Sequence, residues 1–115
     1  MAKNDGAGKN VVVLITCPQH STQHITNAIM AKKLAACVNS IPNISSTFWD
    51  KGKLMNDMES LLLVKTKRSL FSKLEKEVKK VHPYKTPEII CLPIALGNKD
   101  YLSWLSKAVK GGKRK

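Results

Sequence analysis

The 115-residue chain is short of several things, and each shortage removes a class of protein. It has only 8 aspartates and glutamates against 20 lysines and arginines, a formal charge of +12, so it attracts polyanions whatever its fold. Aromatic residues make up 5% of the chain, too few for the basic and aromatic interleaving that grips single-stranded nucleic acid. Nucleic acid is therefore expected as a non-specific partner at most. Three cysteines, Cys17, Cys37 and Cys91, are odd in number and lack C-x-x-C spacing, which argues against a disulfide framework or a zinc knuckle. The scattered glycines form no Walker loop, dinucleotide fingerprint or G-x-S-x-G elbow, so an enzyme is not expected. No stretch approaches the roughly 20 apolar residues of a membrane span, and "MAKNDGAGKN" lacks the apolar core of a secretion signal. A cytoplasmic protein with reduced thiols and no membrane partner is expected.

What remains is one domain's worth of alternating elements. "NVVVLIT" is a continuous β-branched run stopped by Pro18, which reads as a buried strand. "STQHITNAIMAKKLA" follows with Ser21 and Thr22 as N-cap candidates and apolar residues near helical spacing. "AACVNSIPNISSTFWD" is strand-like but carries Pro42, which predicts a bend or bulge there. "KGK" marks a turn, and "LMNDMESLLLVKT" returns as the second arm of a hairpin whose strands are about twice the mean length. "SLFSKLEKEVKKV" places Leu70, Phe71, Leu74, Val78 and Val81 on one helical face, and Pro83 ends that helix near His82. "EIICLPIA" is a fourth strand. Asn98 then caps a third helix, with Tyr101, Leu102, Leu105 and Val109 on its apolar face. The order β-α-β-β-α-β plus a terminal helix is ferredoxin-like, an α+β domain with an antiparallel sheet over residues 10–109. Residues 1–9 and the basic end 110–115 read as disordered tails. A hairpin this long overhangs its own sheet and leaves strand edges to be covered, which predicts a homo-oligomer.

Several side chains stand out. His82 sits where the second helix ends, with Glu88 beyond the short "PYKTP" link. A neutral imidazole with a carboxylate and a thiolate such as Cys17 would suit a transition metal. In the plainer reading His82 caps the helix carbonyls and Glu88 pairs with a lysine. His20 and His24 share i, i+4 spacing, but His20 falls before the helix, which makes a solvated pair. Asp57 and Glu59 share one strand face and read as ion-pair partners for lysines. Phe48 or Trp49 suits a subunit contact and Trp104 packing on the third helix. The lysines from Lys65 to Lys80 form a solvated face or a polyanion-binding one.

Taken together, "TCP" at 16–18, "KLAACVNSIPNISS" at 33–46, Glu59, "VKT" at 64–66, "VHPYKTPEIICLPI" at 81–94 and "GNKDYLSWL" at 97–105 resemble the divalent-cation tolerance family CutA. The resemblance runs in order from Asn10 to Val109. It implies a ferredoxin-like subunit in a homotrimer, related in architecture to the PII signalling proteins and linked to copper and divalent cation tolerance. His82, Tyr84 and Glu88 fall on the family's H-P-Y motif and its following glutamate. Two positions that bind copper in bacterial members correspond to Ile15 and Val81, neither able to ligate, and Cys17 shares the strand parity of Ile15. The resemblance thus implies a site for Cu(II) or another divalent cation at an inter-subunit cleft, built from His82, Glu88 and Cys17. The alternative is a PII-like sensor that holds a small anionic metabolite through Lys65, Lys85 and Tyr84.

Overall fold

The computed structural model describes residues 9–111. Strand β1 (Asn10–Cys17) leads through a short 3-10 turn into helix α1 (Thr22–Ala31), then strands β2 (Cys37–Asp50) and β3 (Lys53–Lys67), helix α2 (Phe71–Val81), strand β4 (Ile89–Pro93) and helix α3 (Lys99–Ala108). The four strands lie in the order β2-β3-β1-β4, and every neighbouring pair is antiparallel. This is the ferredoxin-like α+β arrangement that the element order predicts. Most of both predicted tails lies outside the described residues. At their inner ends, Lys9 accepts a bond from Arg68 N at 2.9 Å and Lys110 N donates to Lys33 O at 2.7 Å.

The alternation along β1 divides the molecule into two faces. Val11, Val13, Ile15 and Cys17 are buried against Ile25 and Ile29 of α1 and Leu74 and Val78 of α2. Strict alternation turns Val12, Leu14 and Thr16 to the opposite face. There the register sets Val12 beside Leu92 and Leu14 beside Leu63 and Ile90. On that face Ser106 of α3 donates to Asn10 Oδ1 at 3.0 Å, while Ile41, Ile90 and Leu92 stay 42%, 44% and 45% exposed. The main core cluster therefore lies on the first face, and the second face of the sheet is apolar as well.

The hairpin behaves as its sequence implies. Pairing of β2 with β3 shifts register between Ile41 and Ile44, and Asn43 takes φ 60° in the resulting bulge after Pro42. Lys51 and Gly52 both have positive φ and make the tight turn between Asp50 and Lys53. Because β1 ends opposite Ser60, the segments Ile44–Asp50 and Lys53–Glu59 pair only with each other and project beyond the sheet. Phe48 and Trp49 near the tip are 38% and 73% exposed.

Two helical expectations need correction. Helix α1 has no side-chain N-cap bond from Ser21, because the preceding 3-10 turn leaves that residue helical rather than extended. At α3, Leu105 and Val109 are buried, but Tyr101 is 41% exposed and Trp104 48%, their rings tilted against each other with centroids 5.5 Å apart. Only one edge of that helix meets the core. Its N-cap is as read: Asn98 Oδ1 accepts from Tyr101 N at 2.8 Å. No described helix is long and apolar enough to cross a membrane.

Candidate functional site

Where the hairpin leaves the sheet, β1, β2, β3 and the 84–88 loop surround a cleft of about 830 Å³. Asp50, Asp57, Glu59 and Glu88 line it, facing Lys51 and Lys85. Half of the 8 carboxylates of a +12 chain therefore converge on one concavity. Four acids against two lysines give it a local excess of negative charge.

Three bonds fix His82 after α2, and one of them reaches Thr16 in the wall of this cleft. The His82 backbone N–H caps the helix by donating to Val78 O at 2.9 Å. Its ring turns away from the helix and reaches β1: Nε2 lies 2.9 Å from Thr16 O, and Nδ1 accepts from Tyr84 N at 3.1 Å. A backbone N–H can only donate and a carbonyl only accept, so the ring is the neutral Nε2–H tautomer with both nitrogens engaged. Pro83 keeps His82 extended, and this points the ring at the sheet. His82 is thus a cap through its backbone, as the plainer reading has it, but its side chain serves the sheet and not the helix carbonyls.

Tyr84 closes the site. Its hydroxyl donates to Glu59 Oε2 at 2.6 Å, and Glu59 is only 6% exposed. The expected Glu59–lysine ion pair does not form among the described residues, because the tyrosine covers that carboxylate. Burial, and next the Glu59 carboxylate, push the Tyr84 phenol well above its ordinary pKa, since a phenolate there would lose water and face a like charge. Among the described residues Glu88 also finds no lysine; it accepts a long 3.4 Å bond from Thr16 Oγ1. Thr16 therefore contacts both His82, through its carbonyl, and Glu88, through its hydroxyl. Nothing in the sequence marks Thr16 as a hub, since only the fold brings residue 16 beside residues 82 and 88.

Cys17 belongs to the other side of the strand. It is buried in the core with Thr22 Oγ1 at 3.9 Å, and burial raises its thiol pKa. Among the described residues no three His, Cys, Asp or Glu side chains are grouped to hold a metal ion. His20 and His24 are both exposed, as a solvated pair should be. Lys65 donates to Asn39 on the open sheet face and does not line the cleft.

The fold and this cleft define a small ferredoxin-like protein with an acidic pocket at the root of an overhanging hairpin. Residues 11–108 match the family described as CutA1 divalent ion tolerance protein. The chain belongs to that family. It is 48% identical to the divalent-cation tolerance protein CutA of Thermus thermophilus, with the match covering 82% of this chain and 92% of that one. It is 42% identical to the chloroplastic protein CutA 1 of Oryza sativa, a longer protein of which the match covers 58%, and 88% of this chain. The solved structure of CutA1 from Oryza sativa superposes with a TM-score of 0.87 at 40% identity, covering 93% of this chain and 99% of that one.

Proposed function

We propose that this chain acts in divalent metal ion tolerance and response as a homotrimer, binding a divalent cation such as Cu(II) weakly at the acidic cleft, which a neighbouring subunit completes. The role is binding and not catalysis. The observation that carries the reading is the gathering of Asp50, Asp57, Glu59 and Glu88 in a chain otherwise dominated by lysine. Carboxylates are hard oxygen ligands that suit divalent cations, and an acidic hollow raises the local cation concentration. Assembly is favoured by the second apolar face of the sheet and by the unpaired strand edges of the overhanging hairpin. A ligand set shared between subunits also accords with the lack of a three-residue group within the described part of one chain.

Within this reading Glu88 is the first ligand, because its carboxylate is exposed and lines the cleft. His82 would have to release Thr16 or Tyr84 to ligate, and Cys17 would have to leave the core. The anionic-metabolite alternative has less support, since Tyr84 already donates to Glu59 and Lys65 lies off the cleft.

The test is a calorimetric titration of Cu(II) into the wild type, Glu88→Gln, His82→Ala and Cys17→Ala, each with its mass measured by light scattering. Saturable binding to a trimer that disappears in Glu88→Gln supports the reading. Binding left intact in that variant overturns it, and the other two variants show whether either ring or thiol joins the site.

A further inference from the structure

A second concavity, of about 640 Å³, lies on the helical side of the molecule and shares no residue with the acidic cleft. It is lined by Lys32, Lys33, Lys73, Lys76 and Lys110, with Glu77 as its one acid. These lysines come from three separate places: the end of α1, the first turns of α2, and the end of α3. Glu77 is already shared, at 3.0 Å from Lys32 and 3.1 Å from Lys80, and those two ammoniums hold its carboxyl below the usual range. Lys33, Lys73, Lys76 and Lys110 make no ion pair among the described residues. Beyond Lys110 the sequence adds Lys113, Arg114 and Lys115.

A separate backbone observation points to the same place. Helix α1 ends in a Schellman motif: Leu34 N donates to Ile29 O at 3.1 Å and Lys33 N to Met30 O at 3.0 Å. The motif needs a left-handed residue at Lys33, which has φ 53°. Glycine takes that conformation without cost and is the usual occupant. Here the position carries a lysine that lines the pocket and whose carbonyl is pinned by Lys110 N. Asn43 and Lys51 take the same conformation in a bulge and a turn, but Lys33 is the one that places its side chain in this pocket.

We propose that this lysine pocket is a binding site for a phosphate chain, of the kind carried by a nucleoside triphosphate or a free oligophosphate. With Lys32 and Glu77 paired to each other, the four remaining ammoniums favour a ligand with several negative charges in a small volume. Lysine supplies mobile point charges, which suit the tetrahedral oxygens of successive phosphates better than the planar fork that recognises a carboxylate. The volume lies within the usual range for small-ligand sites, and Leu34, Ala31 and the lysine stems give the wall an apolar part.

The experiment is calorimetric titration of the full chain at low salt with sodium tripolyphosphate and, separately, with ATP. Saturable binding is expected, weakened about tenfold or more by Lys73→Glu with Lys76→Glu, as charge reversal at close range requires. A control with Lys99→Glu and Lys107→Glu has the same formal charge and exposed sites outside the pocket, and should lose less than about threefold. Lys33→Gly should raise the melting temperature by relieving the left-handed lysine while weakening tripolyphosphate binding. ATP binding more tightly than tripolyphosphate assigns the nucleotide, and equal affinity assigns the bare phosphate chain. Equal losses in the pocket and control variants, no saturable binding, or a Lys33→Gly variant that is more stable with undiminished affinity would each overturn the proposal.

Discussion

His82 Nε2 donates to the carbonyl oxygen of Thr16 at 2.9 Å, joining the end of α2 to the end of β1 across 66 residues of chain. With Nδ1 held by the Tyr84 N–H, the imidazole is a strut between two backbone segments. The strut also fixes Thr16, whose hydroxyl reaches Glu88 in the cleft.

Replacing His82 by alanine should cost about 1–3 kcal/mol, because it leaves a part-buried carbonyl and N–H without their partner. Urea unfolding of the variant beside the wild type measures this. A loss near zero would mean that water replaces the ring freely.

Tyr84→Phe removes the one hydrogen bond that the buried Glu59 carboxylate accepts among the described residues, a loss of similar size. The phenol also predicts a pH dependence. Its folded-state pKa is raised, so its contribution to stability is complete below the ordinary tyrosine value and is lost as pH rises above it. Absorbance titration should show Tyr84 as a late-ionising component, missing in Tyr84→Phe.

Leu92 sits on the second face of the sheet at 45% exposure, and the proposed assembly buries it. Leu92→Glu should therefore lower the mass seen by light scattering from about three times 12.8 kDa toward a single subunit. An unchanged mass would move the subunit contact elsewhere.

Thr66 is fully buried, and its hydroxyl donates to Leu34 O at 2.6 Å, holding the loop after α1 against β3. Thr66→Val keeps the shape but orphans that carbonyl, at a cost of about 1–3 kcal/mol measurable in thermal or urea unfolding.

Cys17 should resist thiol reagents in the native protein and react when the chain unfolds, since burial both blocks access and disfavours the thiolate. Its raised pKa means that stability falls as pH climbs past the ordinary thiol value. Fast native labelling of Cys17, read by mass spectrometry of peptides, would contradict its place in the core.

The local signals for shape in the chain are plain. β-branched runs, Pro42, the Lys51-Gly52 turn, Pro83 and Asn98 each act over a few residues, so strand, bulge, hairpin, helix stop and cap could be read directly. The site was readable only in pieces. His82, Tyr84 and Glu88 stand out in one short stretch, yet their partners Thr16 and Glu59 come from distant strands. Parity placed Cys17 beside Ile15, but whether that face meets a cleft or a core depends on where the helices land.

The sequence by itself determined the order of elements and the alternation that makes β1 apolar on both faces, because periodicity and turn chemistry are properties of neighbours along the chain. Only the tertiary structure decided which groups meet. Folding the antiparallel sheet brought four carboxylates into one hollow and five lysines into another. Charges scattered along a basic chain thereby became two sites of opposite sign, a separation set by distances in space that no linear spacing encodes.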